Sequence, residues 1–139
     1  ALYAASIAGV EIDLVVRGMC CLRPGIPGVS DRIRVRSLVG RFLEHTRAYY
    51  FANGGDPELY ASSADWMERN FFRRVEVAFP IRDPELRDRL VRELELYLRD
   101  NTQAWVQDSD GAYHRLRPAE GEEPVSAQQA LLEELAEGD

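Results

Sequence analysis

Lysine is absent from this sequence of 139 residues, and all 17 basic side chains are arginine. A genome rich in G and C is the simplest source of this bias. The bias still has a chemical consequence, because arginine stays charged and binds a phosphate through two parallel hydrogen bonds, whereas lysine acts as a point charge. Anion contacts by basic side chains in this protein are therefore arginine contacts.

Cysteine and histidine are scarce, with two of each in the chain. Cys20 and Cys21 are adjacent, and neighbours on a strand point to opposite faces, so no disulfide between them is expected. No second cysteine or histidine stands at the spacing of zinc ligands, so no metal site is predicted. Such cysteine usage is typical of a reducing compartment and favours a cytoplasmic protein, with a peripheral place at the inner membrane as an alternative.

Long apolar runs are also missing: no stretch of 18 apolar residues exists, and no signal peptide is recognised. The first nine residues resemble the end of a helix without an N-cap, which suggests a piece of a longer protein. The net charge is −7, and it is unevenly distributed. Residues 1–80 carry ten arginines and nine acids, whereas residues 81–139 carry seven arginines and fifteen acids. This balance argues against a nucleic-acid partner and leaves open an arginine cluster in the first half.

A short helix followed by glycine and a β-branched run opens the chain. Residues 2–8 are predicted as the helix, with Gly9 as its stop, and residues 10–17 as a buried, central strand. Arg17 is the C-terminal end of that strand, the position where open α/β sheets place their ligands. The alternative is an arginine that only extends from the sheet edge into solvent.

Arginine alternates with apolar residues between positions 31 and 39, which predicts a half-exposed strand. Arg32, Arg34 and Arg36 would share one face of it, either as a solvated surface or as a phosphate-binding comb. The remaining elements complete a single α/β domain over residues 1–139, with a mixed sheet of four or five strands flanked by helices. They are strands at 49–51, 58–63 and 74–80, a turn at 53–57 that begins Asn-Gly-Gly, a short helix at 67–73, a hairpin at 105–116 and a helix capped by Ser126. A further helix at 83–100 begins with Asp83 as N-cap, Pro84 and Glu85, and a stripe of leucines that includes Leu86 is expected to be its buried face.

The chemistry-bearing stretch is residues 40–51. In an extended segment residues i and i+2 point to the same face, so His45 and Arg47 would project together. An imidazole beside a guanidinium suits phosphate handling, because one group exchanges a proton while the other binds two phosphoryl oxygens. Arg47 would bind phosphate or brace the hairpin, and both readings stay open. Ser63 and Asp65 are candidates to orient His45. Glu44 would point to the opposite face and is interpreted as structural.

Several separate strings, in order, resemble the last domain of bacterial polyphosphate kinase, and the resemblance covers essentially the whole chain. They are residues 12–25 (IDLVVRGMCCLRPG), 40–47 (GRFLEHTR), 53–56 (NGGD), 62–67 (SSADWM) and 115–124 (RLRPAEGEEP). That family is similar to the phospholipase D superfamily, so the resemblance implies one phospholipase-D-like half. Here His45-Thr46-Arg47 stands for the His-x-Lys of that superfamily, and Ala52 occupies its aspartate position. These departures argue against phosphodiester hydrolysis and fit the kinase.

The resemblance also implies roles. In the family the phosphorylated histidine lies in the preceding domain, so His45 would be its catalytic partner, and Arg17 and His45 would contact ATP or its phosphates. Arg47 is a further candidate for such a contact from the residue pattern alone. It implies ATP, ADP and inorganic polyphosphate as ligands, Mg²⁺ bound mainly outside this segment, contacts with the preceding domains, and a homo-oligomer. The isolated segment is expected to be inactive.

Two other functions remain possible from the sequence. A phospholipase-D-like phosphodiesterase half-site would hydrolyse a generic phosphodiester as a dimer of two such halves. A non-enzymatic anion-binding module would bind its ligand without turnover in any context.

Overall fold

The computed structural model describes residues 1–137. The chain divides into two compact units, the first built from residues 1–44 together with the chain from residue 95 onward, the second from residues 45–94. The helices are α1 (Leu2–Ile7), α2 (Glu68–Arg73), α3 (Pro84–Arg99) and α4 (Ala127–Glu137). The strands are β1 (Ile12–Val15), β2 (Ile33–Leu38), β3 (Ala48–Phe51), β4 (Glu58–Ser62), β5 (Ala78–Pro80), β6 (Ala104–Gln107) and β7 (Tyr113–Arg115).

The first unit is organised on a mixed four-stranded sheet of order β1-β2-β6-β7. Strand β1 runs parallel to β2, and the other two pairings are antiparallel. Ile33, Val35 and Ala104 are almost completely buried, so β2 and β6 supply the core. The prediction that β1 is a buried, central strand is wrong. It lies at the edge and is only half-buried, because the neighbours of a strand depend on distant segments that its own sequence does not reveal.

The three arginines of the comb, which lie on β2 and directly before it, form hydrogen bonds and ion pairs with other residues of the first unit. Arg32 forms an ion pair with Glu11, and Arg34 donates to Asp13 at 2.6 Å. Arg36 donates to the carbonyl oxygen of Leu98 at 2.5 Å, near the C-terminal end of α3, where basic side chains satisfy unpaired carbonyls. The comb therefore joins β2 to its neighbours, and the solvated, structural reading is favoured over phosphate binding.

We expect Arg34→Gln to raise the pKa of Asp13 towards its ordinary value. The hydrogen bond from Arg34 is the main cause that lowers this pKa in the folded protein. A lowered carboxyl pKa stabilises the fold above the unfolded value of about 4, and that stabilisation disappears as the pH falls through the folded pKa. Because both side chains are well exposed, the effect at neutral pH is below about 1 kcal/mol.

Carboxyl NMR titration of Asp13 and urea unfolding at neutral and acidic pH measure this change. The matched control is Arg89→Gln, which removes an exposed helical pair with Glu93. It should leave the pKa of Asp13 unchanged. An unaltered Asp13 titration in the Arg34 variant would contradict the assignment.

Asp100 is the polar centre of the first unit and is 1% exposed. Its Oδ1 accepts hydrogen bonds from the backbone amides of Thr102 (3.0 Å), Gln103 (2.7 Å) and Ala104 (3.1 Å). Its Oδ2 accepts from the amide of Ala127 at 2.8 Å. One carboxylate thus closes the turn after α3 and caps the start of α4.

The predicted cap on α4 needs a correction in detail. Helix α4 begins directly after Ser126, as expected, but the buried Ser126 hydroxyl has no hydrogen-bond partner within residues 1–137. The carboxylate of Asp100 accepts from the first helical amide in its place. Asp100, which precedes Ala127 by 27 positions, therefore caps this helix in place of the adjacent serine.

The second unit holds a three-stranded antiparallel sheet of order β3-β4-β5, with Leu59 in its core. The predicted turn between β3 and β4 is present, and Asn53, Gly54 and Gly55 all have positive φ, which explains the Asn-Gly-Gly sequence. Asp83 begins α3 as predicted, since its Oδ1 accepts from the amides of Glu85 (2.9 Å) and Leu86 (3.1 Å).

The mixed α/β class is confirmed, whereas the expectation of one sheet with four or five strands is wrong. Among residues 1–137 seven strands form two sheets, because β3, β4 and β5 pair with one another. The predicted leucine stripe of α3 is only partly buried: Tyr97 is buried, while Leu86 is 54% exposed. Within the described residues, no helix is both long and apolar enough to cross a bilayer.

Candidate functional site

The backbone that leads into His45 is anchored through Glu44. Tyr97 donates its hydroxyl to Oε2 of Glu44 at 3.1 Å, and Gln128 donates to Oε1 at 2.7 Å. Arg17 donates to the Glu44 carbonyl oxygen at 2.6 Å. Both the side chain and the carbonyl of Glu44 are therefore engaged, which agrees with its interpretation as a structural residue.

A glutamine on α4 holds the same segment two residues earlier. Gln128 accepts a hydrogen bond from the amide of Phe42 at 3.0 Å and donates to the Phe42 carbonyl at 2.7 Å. Its side-chain amide thus pairs with both the N–H and the C=O of one residue, as a neighbouring strand would. We call this arrangement, Gln128 with Phe42 and Glu44, the glutamine clamp.

Gly40 makes the clamp possible. A Cβ atom at this position would collide with the side-chain oxygens of Gln103 and Gln128 and would lie 2.9 Å from Cδ of Gln128. Only a residue without a side chain leaves room for the two glutamines. The glycine that opens the candidate stretch is therefore a packing requirement of the clamp.

Arg17 was predicted as the last residue of a strand, but β1 ends at Val15 and Arg17 lies two residues beyond it. Its guanidinium is at the protein surface and is oriented by the hydrogen bond to the Glu44 carbonyl. A guanidinium has five donors, so a group oriented by one of them keeps a defined direction for an anion. Contact with ATP or phosphate stays a prediction.

His45 and Arg47 belong to the second unit, in the extended segment that precedes β3. The strand begins at Ala48, so the two residues lie just outside it. His45 is exposed, and its carbonyl oxygen accepts a hydrogen bond from Nη1 of Arg47 at 3.2 Å. Arg47 is thereby bound to the backbone of the candidate histidine.

Asp65 fixes the other side of Arg47. The Nε atom of Arg47 donates to Oδ1 of Asp65 at 2.7 Å, and this hydrogen bond is the main cause that raises the pKa of Arg47. Both side chains are about one quarter exposed. The pair therefore braces the start of the hairpin, which is one of the two roles predicted for Arg47.

The hydrogen bonds of the Ser63 hydroxyl are formed with residues that directly precede β5. Its hydroxyl donates to Glu76 at 2.5 Å and accepts from the amide of Val77 at 3.0 Å. Asp65 is bonded to Arg47, as described. Participation of either residue in orienting the His45 ring stays a prediction.

The candidate residues do not fit a magnesium site. Mg²⁺ prefers carboxylate oxygens and water, whereas the predicted contacts here are arginines and a histidine. The carboxylate of Glu44 in the first unit and that of Asp65 in the second already accept hydrogen bonds from protein donors. Across residues 1–137, no group of three His, Cys, Asp or Glu side chains is placed to hold a metal ion.

Sequence reasoning missed the clamp. Gln128 and Tyr97 hold residues 42–44, and neither of them carries a local signal for that role. The available signal was Gln128, a polar residue at a buried position of α4. Its burial can be recognised only when the packed face of the helix is known.

The chain matches a family model and several relatives. Residues 1–128 match the family described as "Polyphosphate kinase C-terminal domain 2". A polyphosphate kinase of Pseudomonas aeruginosa is 65% identical over 136 residues, covering 98% of this chain and 20% of its own length. One from Thermosynechococcus vestitus is 58% identical over 132 residues, covering 95% of this chain and 18% of its own.

A solved structure agrees. The crystal structure of polyphosphate kinase from Porphyromonas gingivalis matches with a TM-score of 0.91 and 48% identity, covering 99% of this chain and 21% of that one. The chain spans about a fifth of the length of these relatives. The resemblance predicted from the sequence strings is thereby confirmed, and the chain belongs to the polyphosphate kinase C-terminal domain 2 family.

Proposed function

We propose that residues 1–139 act as the last catalytic domain of a polyphosphate kinase, which reversibly transfers the terminal phosphate of ATP to inorganic polyphosphate through a phosphohistidine. The observation that carries this proposal is 65% identity to a polyphosphate kinase over 98% of the chain. That match spans the segments that contain Arg17, His45 and Arg47.

Phosphoryl transfer needs positive charge around the three equatorial oxygens and an in-line arrangement of attacking and leaving atoms. In our proposal the attacking histidine lies in the preceding domain. His45 donates a hydrogen bond or a proton to the phosphoryl group that faces this nucleophile. Arg17, oriented by the Glu44 carbonyl, binds phosphate oxygens of the nucleotide through its guanidinium.

We assign Arg47 as a positioning residue. Two of its nitrogens donate to Asp65 and to the His45 carbonyl, so it holds the backbone of the proposed acid. The partners of the domain are ATP or ADP, inorganic polyphosphate and the preceding domains, within a homo-oligomer.

The test uses a full-length polyphosphate kinase that carries this segment. We expect polyphosphate synthesis from ATP, ATP synthesis from ADP and polyphosphate, and no hydrolysis of bis(p-nitrophenyl) phosphate. The isolated chain, shown to be folded by circular dichroism, should catalyse none of these reactions because the nucleophile is outside it. Phosphodiester hydrolysis without polyphosphate formation would instead favour the phosphodiesterase alternative and reject the kinase.

A further inference from the structure

An exposed apolar surface lies on the second unit, between α2 and β5. We call residues 67–79 the apolar strip. Six large apolar side chains within it are between 49% and 100% exposed. They are Met67, Phe71, Phe72, Val75, Val77 and Phe79.

The polarity of α2 is inverted. Asn70 is 3% exposed, and its Oδ1 has no hydrogen-bond partner within the described chain. The next two residues, Phe71 and Phe72, are 57% and 80% exposed. A helix whose outer face meets water buries its aromatic residues and exposes its amides. Contact with water therefore does not explain the outward aromatic side chains of α2, whereas contact with another protein surface would.

The strip has a defined conformation. The amide of Ser63 donates to the Val77 carbonyl at 2.9 Å, and the Val77 amide donates to the Ser63 hydroxyl at 3.0 Å. Pairing of β5 with β4 continues this order to Phe79. Val75, which is fully exposed, lies between this pairing and the end of α2 at Arg73. Both ends of the short segment that carries it are thus held by hydrogen-bonded structure.

The size of this surface suits an interface. From their exposed fractions and side-chain areas of about 150–200 Å² each, the six residues expose on the order of 700 Å². The largest apolar patch on a typical monomer is about 300–600 Å². Interfaces between domains of one chain bury about 600–1,500 Å².

We infer that the apolar strip docks onto another domain of the same longer polypeptide. The inference rests on the proposed function to the extent that the chain belongs to a longer kinase. The relatives extend outside the matched part for about four fifths of their length. The other domains of such a polypeptide are covalently attached to this one and can therefore serve as its partner. Attachment raises the effective concentration of that partner and favours it over a separate protein.

The charges within the strip argue against a membrane. Three arginines, Arg69, Arg73 and Arg74, are nearly balanced by Glu68 and Glu76. Surfaces that bind anionic lipid carry clusters of about four to eight basic residues. The occupant is thus expected to be a protein face that is mainly apolar with mixed charges.

The experiment measures thiol accessibility in the full-length kinase. Val75→Cys and Phe72→Cys are introduced separately after Cys20 and Cys21 have been changed to serine, and labelling by a bulky maleimide is compared with Glu120→Cys in the exposed acidic loop. Relative to the denatured protein, we expect about tenfold or greater protection at positions 75 and 72 and less than about threefold at position 120.

The alternatives give different outcomes. Full labelling of the native protein at both positions would overturn the inference, and so would protection that disappears on dilution, which indicates a second copy. Protection that requires vesicles of phosphatidylglycerol would also overturn it. Because the readout is labelling, it stands or fails independently of whether the enzyme makes polyphosphate.

Discussion

Replacing His45 by alanine in a full-length polyphosphate kinase that carries this segment should slow polyphosphate synthesis by about 10²–10⁴-fold. In the proposed mechanism His45 is a general acid, so its removal takes away a proton or hydrogen bond that is delivered mainly in the transition state. The loss should therefore appear in kcat, with a small change in KM for ATP. Initial rates in both reaction directions measure it.

The chain supplies a matched control, His114→Ala. His114 is its other histidine, lies in the β6–β7 hairpin, and pairs with Asp108 at 3.0 Å. Its substitution should leave turnover unchanged. A His45 variant as active as the wild type would remove this residue from the mechanism. Unaltered thermal unfolding of both variants would exclude a folding defect as the cause.

Asp100→Ala should lower the free energy of unfolding by about 3–5 kcal/mol. Four backbone amides lose their acceptor in a buried place, and each unsatisfied donor costs about 1–3 kcal/mol, less than additively. The amide of Ala127 is one of them, so α4 should fray first. Urea unfolding of the chain measures the total effect, and hydrogen exchange of the α4 amides in the full-length enzyme measures the local one.

The matched control here is Asp110→Ala. Asp110 lies in an exposed turn and accepts one backbone hydrogen bond, from Ala112 at 2.9 Å. Its loss should cost about 1 kcal/mol or less. Asp100→Asn, which keeps the shape and one carbonyl oxygen, should fall between the two. Equal stability of the Asp100→Ala and Asp110→Ala variants would show that the buried carboxylate is not the organising group.

Features set by neighbouring residues could be predicted from the sequence. Asp83-Pro84-Glu85 predicted the start of α3, because a side-chain cap, a fixed φ and an acidic first turn all act within four residues. The Asn-Gly-Gly turn followed in the same way from the positive φ that it requires. These patterns carry their physical reason within a few positions.

Features set by distant residues could not be predicted. The edge position of β1 and the separation of two sheets depend on which strands pair, and strand patterns do not encode that choice. Asp100 looked like an ordinary acidic residue at a helix end, since its donors come from a turn and from α4. Of the site, Arg17 was placed within two residues of the end of β1, whereas the glutamine clamp was not foreseen.

The glutamine clamp also has a consequence for the order of events during biosynthesis. Gln128 follows Phe42 by 86 positions, so the peptide before His45 cannot be locked until α4 has been synthesised. Domains generally form as units while the chain emerges from the ribosome. The polypeptide should therefore pass through a stage in which the sheet of the first unit is emerging while the candidate histidine still lacks its anchor. Until then residues 40–44 would lack the side-chain partner that fixes their backbone in the folded protein.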